Sequence, residues 1–363
     1  MTPLAEKLGP PQAKAHLSVA RLARYWYVAC RSGELRRAPL PSVVIGTPLV
    51  LYRDAAGRPG ALLDRCPHRN VPLSLGRVAD GGNLECSYHG WQFDNTGRCR
   101  VVPGLCDSDG DTRGRRVAAH AARERDGFVW VWGEPDVEPA FDPPSYTPPA
   151  DAGYATIVRK LDFPGTLHAT AENALDVPHT AFLHRGLFRG SGKRNTIHAI
   201  VRRGSDRVET EYVGEPRPEG FVGRFLAPQG GVVEHWDRFV LPSIAQVEYR
   251  LGAENHLMVT SLCTPIDDFT TRMYAIVAFR LRLPSALVRP VVTPLAMRIL
   301  RQDAAVLRAQ SEAVQRFGGE QFASTEIDLL GPHIWRLLRD AEAGSLPPAG
   351  GELSTVREVT FEA

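Results

Sequence analysis

CPHRNVPLSLGRVADGGNLECSYHGW, residues 66–91, holds two short clusters, Cys66-Pro67-His68 and Cys86-Ser87-Tyr88-His89. Each offers one thiolate and one imidazole, and a Gly-containing connection separates them. Four such ligands on two loops are what a Cys2His2 metal site needs. Tetrahedral zinc would accept them, but zinc knuckles usually pair Cys with Cys and His with His. Mixed knuckles suit a [2Fe–2S] centre better, with two Cys on one iron and two His on the other, because each loop then reaches both irons. The bland alternative is four side chains that merely pack together.

The chain around this stretch has 363 residues, too many for an electron-carrier domain alone and suited to two domains of moderate size. Composition is that of an ordinary globular protein, and a net charge of +2 gives no case for nucleic acid as a partner. Six Cys, at positions 30, 66, 86, 99, 106 and 263, lack the density of a secreted disulfide scaffold. With Cys66 and Cys86 set aside as cluster ligands, the others read as reduced thiols, a Cys99–Cys106 disulfide being the alternative. The opening MTPLAEKLGPPQAKAH has no basic region followed by an apolar run, and no apolar stretch reaches the length of a spanning helix. The expectation is a soluble, cytoplasmic protein in a reducing compartment, which labile Fe–S chemistry favours.

Residues 13–24 interleave Ala, Leu, Val and Arg and predict a short amphipathic helix. From there to about 132, short β-prone runs such as 42–45, 49–52, 61–63 and 128–132 alternate with turns at 54–60 and 79–82, the pattern of a small antiparallel β domain. The knuckles then sit on adjacent loop tips, with Trp91 and Phe93 packed beneath them. GEPDVEPAFDPPSYTPPADAG, residues 133–153, carries six prolines and reads as an extended linker rather than a strand or helix. The predicted organisation is an N-terminal helix and cluster domain over 1–135, a linker over 136–153 and a second domain over 154–363. In the last of these, 154–160, 207–213, 231–241, 244–251, 256–264 and 272–281 read as strands of an antiparallel sheet, and 285–317 and about 327–343 as helices. The fold class is α+β.

Residues 172–184, ENALDVPHTAFLH, concentrate polar groups on an otherwise apolar segment. His179 and His184 are candidate imidazole ligands for Fe(II). On a regular helix five residues turn about 500°, leaving these side chains roughly 140° apart. They share one metal only if the helix ends, bends or widens between them, and Pro178 supplies a cause. Two His at this spacing, taken alone, are more often ordinary polar residues. Asp176 sits three residues before His179, where it could accept a hydrogen bond from that imidazole. Asn173 either lines the site or is a helix-face amide.

C-x-H-R, sixteen residues, then C-x-x-H-G-W, continuing through Phe93 and Gly97 to Pro103-Gly104, resembles the cluster motif of the Rieske non-haem iron oxygenases. Many members have Gly where this chain has Asn70, a position outside the ligand set. N-x-x-D-x-x-H-x-x-x-x-H at 173–184 resembles the mononuclear-iron motif of the same family, and the two occur in the family's order. The resemblance implies an N-terminal antiparallel β Rieske domain, followed by a catalytic domain whose antiparallel sheet is flanked by helices. It implies two cofactors, a [2Fe–2S] cluster held by Cys66, His68, Cys86 and His89, and a mononuclear Fe(II) held by His179, His184 and a downstream carboxylate. Asp303 is the best match for that carboxylate, with Asp267, Asp268, Glu312 and Asp328 as competitors; Gln302 stands where relatives often have Glu. Asp176 would link an iron ligand to a cluster ligand of the neighbouring subunit in a head-to-tail homotrimer.

Both motifs in one chain point to a terminal oxygenase, since a one-electron carrier then feeds an O2-activating iron. No flavin or nicotinamide fingerprint occurs, so electrons must come from a separate ferredoxin or flavin reductase. The resemblance leans toward the demethylase and monooxygenase branch: hydroxylation or oxidative demethylation of a hydrophobic small molecule, aromatic or sterol-like. Leu283–Leu300 is either a core-packing helix or a peripheral surface meeting membrane or a lipid-like substrate. The alternatives are an electron-transfer protein with a non-catalytic binding domain and a zinc-stabilised structural protein.

Overall fold

A computed structural model describes residues 18–105, 114–146, 153–184, 196–214, 233–251, 255–280, 285–344 and 351–362. These fall into two compact units, one of residues 22–146 and one of residues 147–363 together with the described residues 18–21.

The first unit is all β. Its strands are β1 (Trp26–Arg31), β2 (Leu40–Val44), β3 (Thr47–Arg53), β4 (Pro59–Leu63), β5 (Arg77–Val78), β6 (Leu84–Glu85), β7 (Gln92–Phe93), β8 (Cys99–Val101), β9 (Ala119–His120), β10 (Ala122–Arg125) and β11 (Phe128–Trp132). They form three sheets, ordered β1-β11-β10, β2-β3-β4-β9 and β5-β6-β7-β8. The second knuckle is the hairpin loop from β6 to β7, and the first lies in the connection from β4 to β5. Val50, Tyr52, Leu62, Leu73, Leu84, Phe93 and Val117 bury one continuous core that also takes in Cys66 and Cys86. That apolar floor fixes where the loops emerge.

The second unit is α+β. Strands β12 (Ala155–Phe163), β13 (Thr196–Arg203), β14 (Arg207–Val213), β15 (Val233–Val240), β16 (Ile244–Leu251), β17 (Asn255–Asp267), β18 (Thr270–Arg280) and β19 (Ser354–Glu362) build one eight-stranded sheet in the order β12-β18-β17-β16-β15-β14-β13-β19. Every pairing is antiparallel. Strand β15 alternates buried Val233, His235, Asp237 and Phe239 with more exposed neighbours, the period-two signature of a sheet with one covered face. The helices are α1 (Leu167–Leu175), α2 (Thr180–Leu183), α3 (Ser285–Phe317) and α4 (Gly331–Glu342). Val288 of α3 joins Ala155, Ile157, Val277 and Phe279 of β12 and β18 in one apolar cluster, so α3 lies along that edge of the sheet.

The structure departs from the sequence expectations in three places. Residues 18–24 carry no helix, although 13–24 was expected to form one; residues 13–17 lie outside the described residues. Strands β13 and β19 were not anticipated. They are neighbours at one end of the sheet, and the outward positions of β19 are largely exposed and polar, so the hydrophobic pattern is weak. Helix α4 begins at Gly331 rather than near Ile327, with Pro332 in its first turn, where the missing N–H costs nothing. Cys106 and Leu283–Pro284 fall outside the described residues, whereas Cys99 is a buried thiol.

Candidate metal centres

The two knuckles in the first unit are built alike. Cys66 N–H donates to Val71 O and Asn70 N–H to Cys66 O; four and five residues past the second Cys, Gly90 N–H donates to Cys86 O and Cys86 N–H to Trp91 O. Both loops close through a left-handed residue, Asn70 at φ 62° and Gly90 at φ 68°. Glycine adopts that conformation freely and Asn tolerates it better than other side chains, so Asn70 performs the same backbone task.

Cys66 and Cys86 are each 2% exposed, while His68 is half-buried and His89 exposed. The thiols face the core and the imidazoles the surface. Burial, with the Cys86 thiol alongside, pushes the Cys66 thiol up to about 11, against backbone N–H groups of His68 and Arg69 that pull it down. Two buried thiols side by side are poorly suited to stand alone and well suited to a metal, which binds the thiolate. The His68 and His89 rings lie 4.5 Å apart, and Trp91 stacks on His68 at 4.7 Å and 2°. His68 Nδ1 is buried without a hydrogen-bond partner. Among the described residues, the trio whose ligand atoms gather within 4.8 Å of one another is not drawn from these four. A tetrahedral zinc site would draw them that close; a two-iron cluster spreads them and so fits this donor set better.

That gathered trio is His179, His184 and Asp303, in the second unit. Helix α1 starts at Thr166, whose hydroxyl accepts from Ala169 N–H at 3.1 Å, and stops at Asp176, whose backbone is extended. Val177 precedes Pro178 and is thereby biased away from helix. One short turn, α2, follows, with Thr180 Oγ1 donating to Val177 O at 2.7 Å. His179, itself helical in backbone, starts that turn and His184, at φ −108° and ψ 41°, ends it, so the helix ends at the second histidine while the break at Pro178 falls before the first. The third member comes from the middle of α3.

His184 Nε2 lies 3.0 Å from Asp303 Oδ1 and 3.4 Å from His179 Nε2, and His179 Nε2 is 3.7 Å from Asp303 Oδ1. His184 and Asp303 are 2% and 8% exposed. Gln302 Oε1 lies 3.0 Å from His184 Nδ1, an oxygen that only accepts, so Nδ1 carries the proton and Nε2 turns its lone pair toward Asp303. Lone pair facing carboxylate is a contact that a cation between them resolves. Without one, a proton must serve: burial lowers the His184 pKa, but the hydrogen bonds to Asp303 and Gln302 outweigh it and hold the value above that of free imidazole. Two imidazoles and one carboxylate are the donor set of a non-haem Fe(II) centre. Asp176 Oδ2 is 3.4 Å from His179 Nδ1. Asn173 lies half-buried on α1 and, among the described residues, makes no hydrogen bond to the trio. Gln302, a departure from the family pattern, holds the His184 ring through this contact; no local pattern could have shown it, because the pair is 118 residues apart.

Comparison with known proteins agrees with both centres. Residues 25–108 match the Rieske [2Fe-2S] domain and residues 166–343 the vanillate O-demethylase oxygenase C-terminal domain. The chain is 31% identical to dicamba O-demethylase, oxygenase component, of Stenotrophomonas maltophilia, over 58% of this chain and 62% of that protein. It is 34% identical to the 3-chlorobenzoate-3,4-dioxygenase oxygenase subunit of Comamonas testosteroni, over 70% and 58%, and 33% identical to the 4beta-methylsterol monooxygenase of Methylococcus capsulatus, over 63% and 63%. The aligned stretch thus spans less than two thirds of the length of these relatives. The crystal structure of dicamba monooxygenase bound to 3,6-dichlorosalicylic acid superposes with a TM-score of 0.74 at 24% identity, covering 90% of this chain and 98% of that one. No helix among the described residues is long and apolar enough to cross a membrane.

Proposed function

The chain belongs to the Rieske non-haem iron oxygenases, and from that premise we propose that it is a terminal oxygenase that hydroxylates or oxidatively demethylates a hydrophobic small molecule, aromatic or sterol-like. The convergence of His179, His184 and Asp303 carries this reading. Cys66, Cys86, His68 and His89 hold the [2Fe–2S] cluster, and the trio holds a mononuclear Fe(II). When bound, these centres supply one-electron transfer and O2 activation.

The chain's own residues prepare the site for that chemistry. Gln302 fixes the tautomer of His184, presenting Nε2 as ligand. Asp303 contributes the negative charge that offsets a divalent cation. Asp176 faces Nδ1 of His179 and would pass the electron from a neighbour's cluster, whose exposed imidazole edges at His68 and His89 face outward. That path calls for a head-to-tail homotrimer, a heterologous contact closed into a ring. A separate ferredoxin or flavin reductase in a reducing, cytoplasm-like compartment donates the electrons. Asn173 belongs to the wall of the same site. The exposed side of α3 around residues 289–300 is the face that would meet a membrane peripherally, if the substrate is a lipid.

The test is to load purified protein with both centres, add a surrogate reductase, and assay a panel of aromatic ethers, aromatic acids and sterols for hydroxylated or demethylated product. The expected result is product from at least one class that is lost in His179→Ala. Full product formation by His179→Ala, or O2 uptake without product across the panel, would overturn the reading.

A further inference from the structure

Three titratable residues recur at a spacing of four: His168 and Glu172 on one face of α1, and Asp176 at its C-terminal end, where the backbone turns extended. The last approaches the iron ligand His179. The first is 4% exposed, and its Nε2 lies 2.9 Å from Gly331 O at the start of α4. A carbonyl only accepts, so Nε2 carries the proton of the neutral ring and Nδ1 must turn a lone pair inward. That buried Nδ1 has no hydrogen-bond partner. Burial lowers the His168 pKa, so the ring is not rescued by a second proton of its own.

The group facing this orphan acceptor is Glu172, with Oε2 3.9 Å from His168 Nδ1. Its other oxygen is pressed onto Gly331, where a Cβ would come within 1.7 Å of Oε1. A carboxylate cannot donate to Nδ1; a carboxylic acid can. The charged groups around Glu172 are all acidic: Asp176 at the end of α1, Asp328 in the turn before α4, and Glu320 after α3, which is itself held by Ser18 at 2.6 Å. No Lys or Arg ion pair to Glu172 occurs among the described residues.

We propose that Glu172 is a positioning residue of the iron site, held as a neutral carboxylic acid that turns its proton toward His168 Nδ1 and keeps a second negative charge away from Asp176. The assignment of its role rests on the iron-site reading above; its protonation does not. The Glu172 side chain keeps 34% of its surface exposed, and its partial burial, with Asp176 and Asp328 adding to it, raises its pKa to about 7. Deprotonation then sets a second carboxylate one helical turn from Asp176 and returns Nδ1 of His168 to isolation, so the site loosens as pH rises through neutrality. The sign follows from linkage. The folded chain binds this proton more tightly than the unfolded chain, so the stability it lends is complete below the ordinary Glu range and is lost as pH climbs through about 7.

Glu172→Gln mimics the neutral acid and keeps a donor for His168, whereas Glu172→Ala removes it. Infrared difference spectra of wild type and Glu172→Gln, recorded without iron, are expected to show a protonated-carboxyl band in the wild type at pH 6 that fades by pH 8. In parallel, thermal unfolding should fall between pH 6 and 8 in wild type, stay nearly flat in Glu172→Gln, and be reduced at both pH values in Glu172→Ala. Metal analysis of the same preparations keeps the two readings apart, since a chain that takes up no iron but still shows the band refutes only the iron site. No carboxyl band specific to Glu172 at pH 6, or identical pH profiles of stability in wild type and Glu172→Gln, would overturn the proposal.

Discussion

Replacing Gln302 by Leu tests the iron site through a residue that does not itself bind the metal. Leu has nearly the volume of Gln but no acceptor, so His184 Nδ1–H loses the oxygen that stands 3.0 Å away. His184 is 2% exposed, and water has little access to replace that oxygen. Taking the acceptor from a buried donor costs about 1–3 kcal/mol, and each tenfold in affinity corresponds to about 1.4 kcal/mol. Iron affinity is therefore expected to fall by roughly 5- to 150-fold, matching the 10–100-fold typical of residues that orient a metal-bound imidazole. Gln302→Glu keeps an acceptor at the same reach and is expected to bind iron within a few-fold of wild type. Competition with a graded chelator, followed by iron determination, reads both variants, and visible absorption of the cluster checks that the first unit is intact. Wild-type iron retention in Gln302→Leu would show that the Nδ1 contact does not orient His184.

The first knuckle and the cluster offer two further checks. Asn70 sits at φ 62°, so Asn70→Gly should change stability by no more than about 0.5 kcal/mol while Asn70→Val, β-branched in a left-handed position, should cost about 1–3 kcal/mol by denaturant unfolding; equal stability of the two variants would dismiss the backbone argument. Cys86→Ser is expected to abolish the visible absorption of the cluster while iron bound at His179, His184 and Asp303 persists, measured by reduced-state EPR and metal content. Loss of both centres together would mean that the two units do not load independently.

The cluster was legible in the sequence because its ligands and their geometry are local: each knuckle closes within six residues, with its left-handed residue and its Cys in fixed offset. The helix break before His179 was legible for the same reason, since Pro178 is visible in the linear chain; the turn between His179 and His184 is instead continuous and ends only at His184. Most strands of the large sheet announced themselves through alternation. Strand β19 did not, because its exposed positions include Glu358, Thr360 and Glu362 and only Phe361 is buried. Gln302 and Gly331 escaped notice because their partners, His184 and His168, lie 118 and 163 residues away. Propensity and spacing carry no information at that range. Glu172 looked like one polar helix residue among several until the neutral tautomer of His168 gave it a task.

The contrast in sequence span between the two metal sites also bears on how the protein matures. All four proposed cluster ligands lie within residues 66–89, in a β unit whose described residues end at 146. Chains emerge from the ribosome N-terminus first and domains fold largely as units, so this unit can receive its [2Fe–2S] cluster while the remainder is still being synthesised. The iron trio allows no such head start. His179 and His184 are presented by one four-residue turn, but Asp303 arrives only with α3, and contacts closed over so long a loop form late. Iron binding there is coupled to the folding of the second unit. Biogenesis thus has an order written into the topology, with cluster insertion open to a nascent chain and iron loading reserved for a finished one.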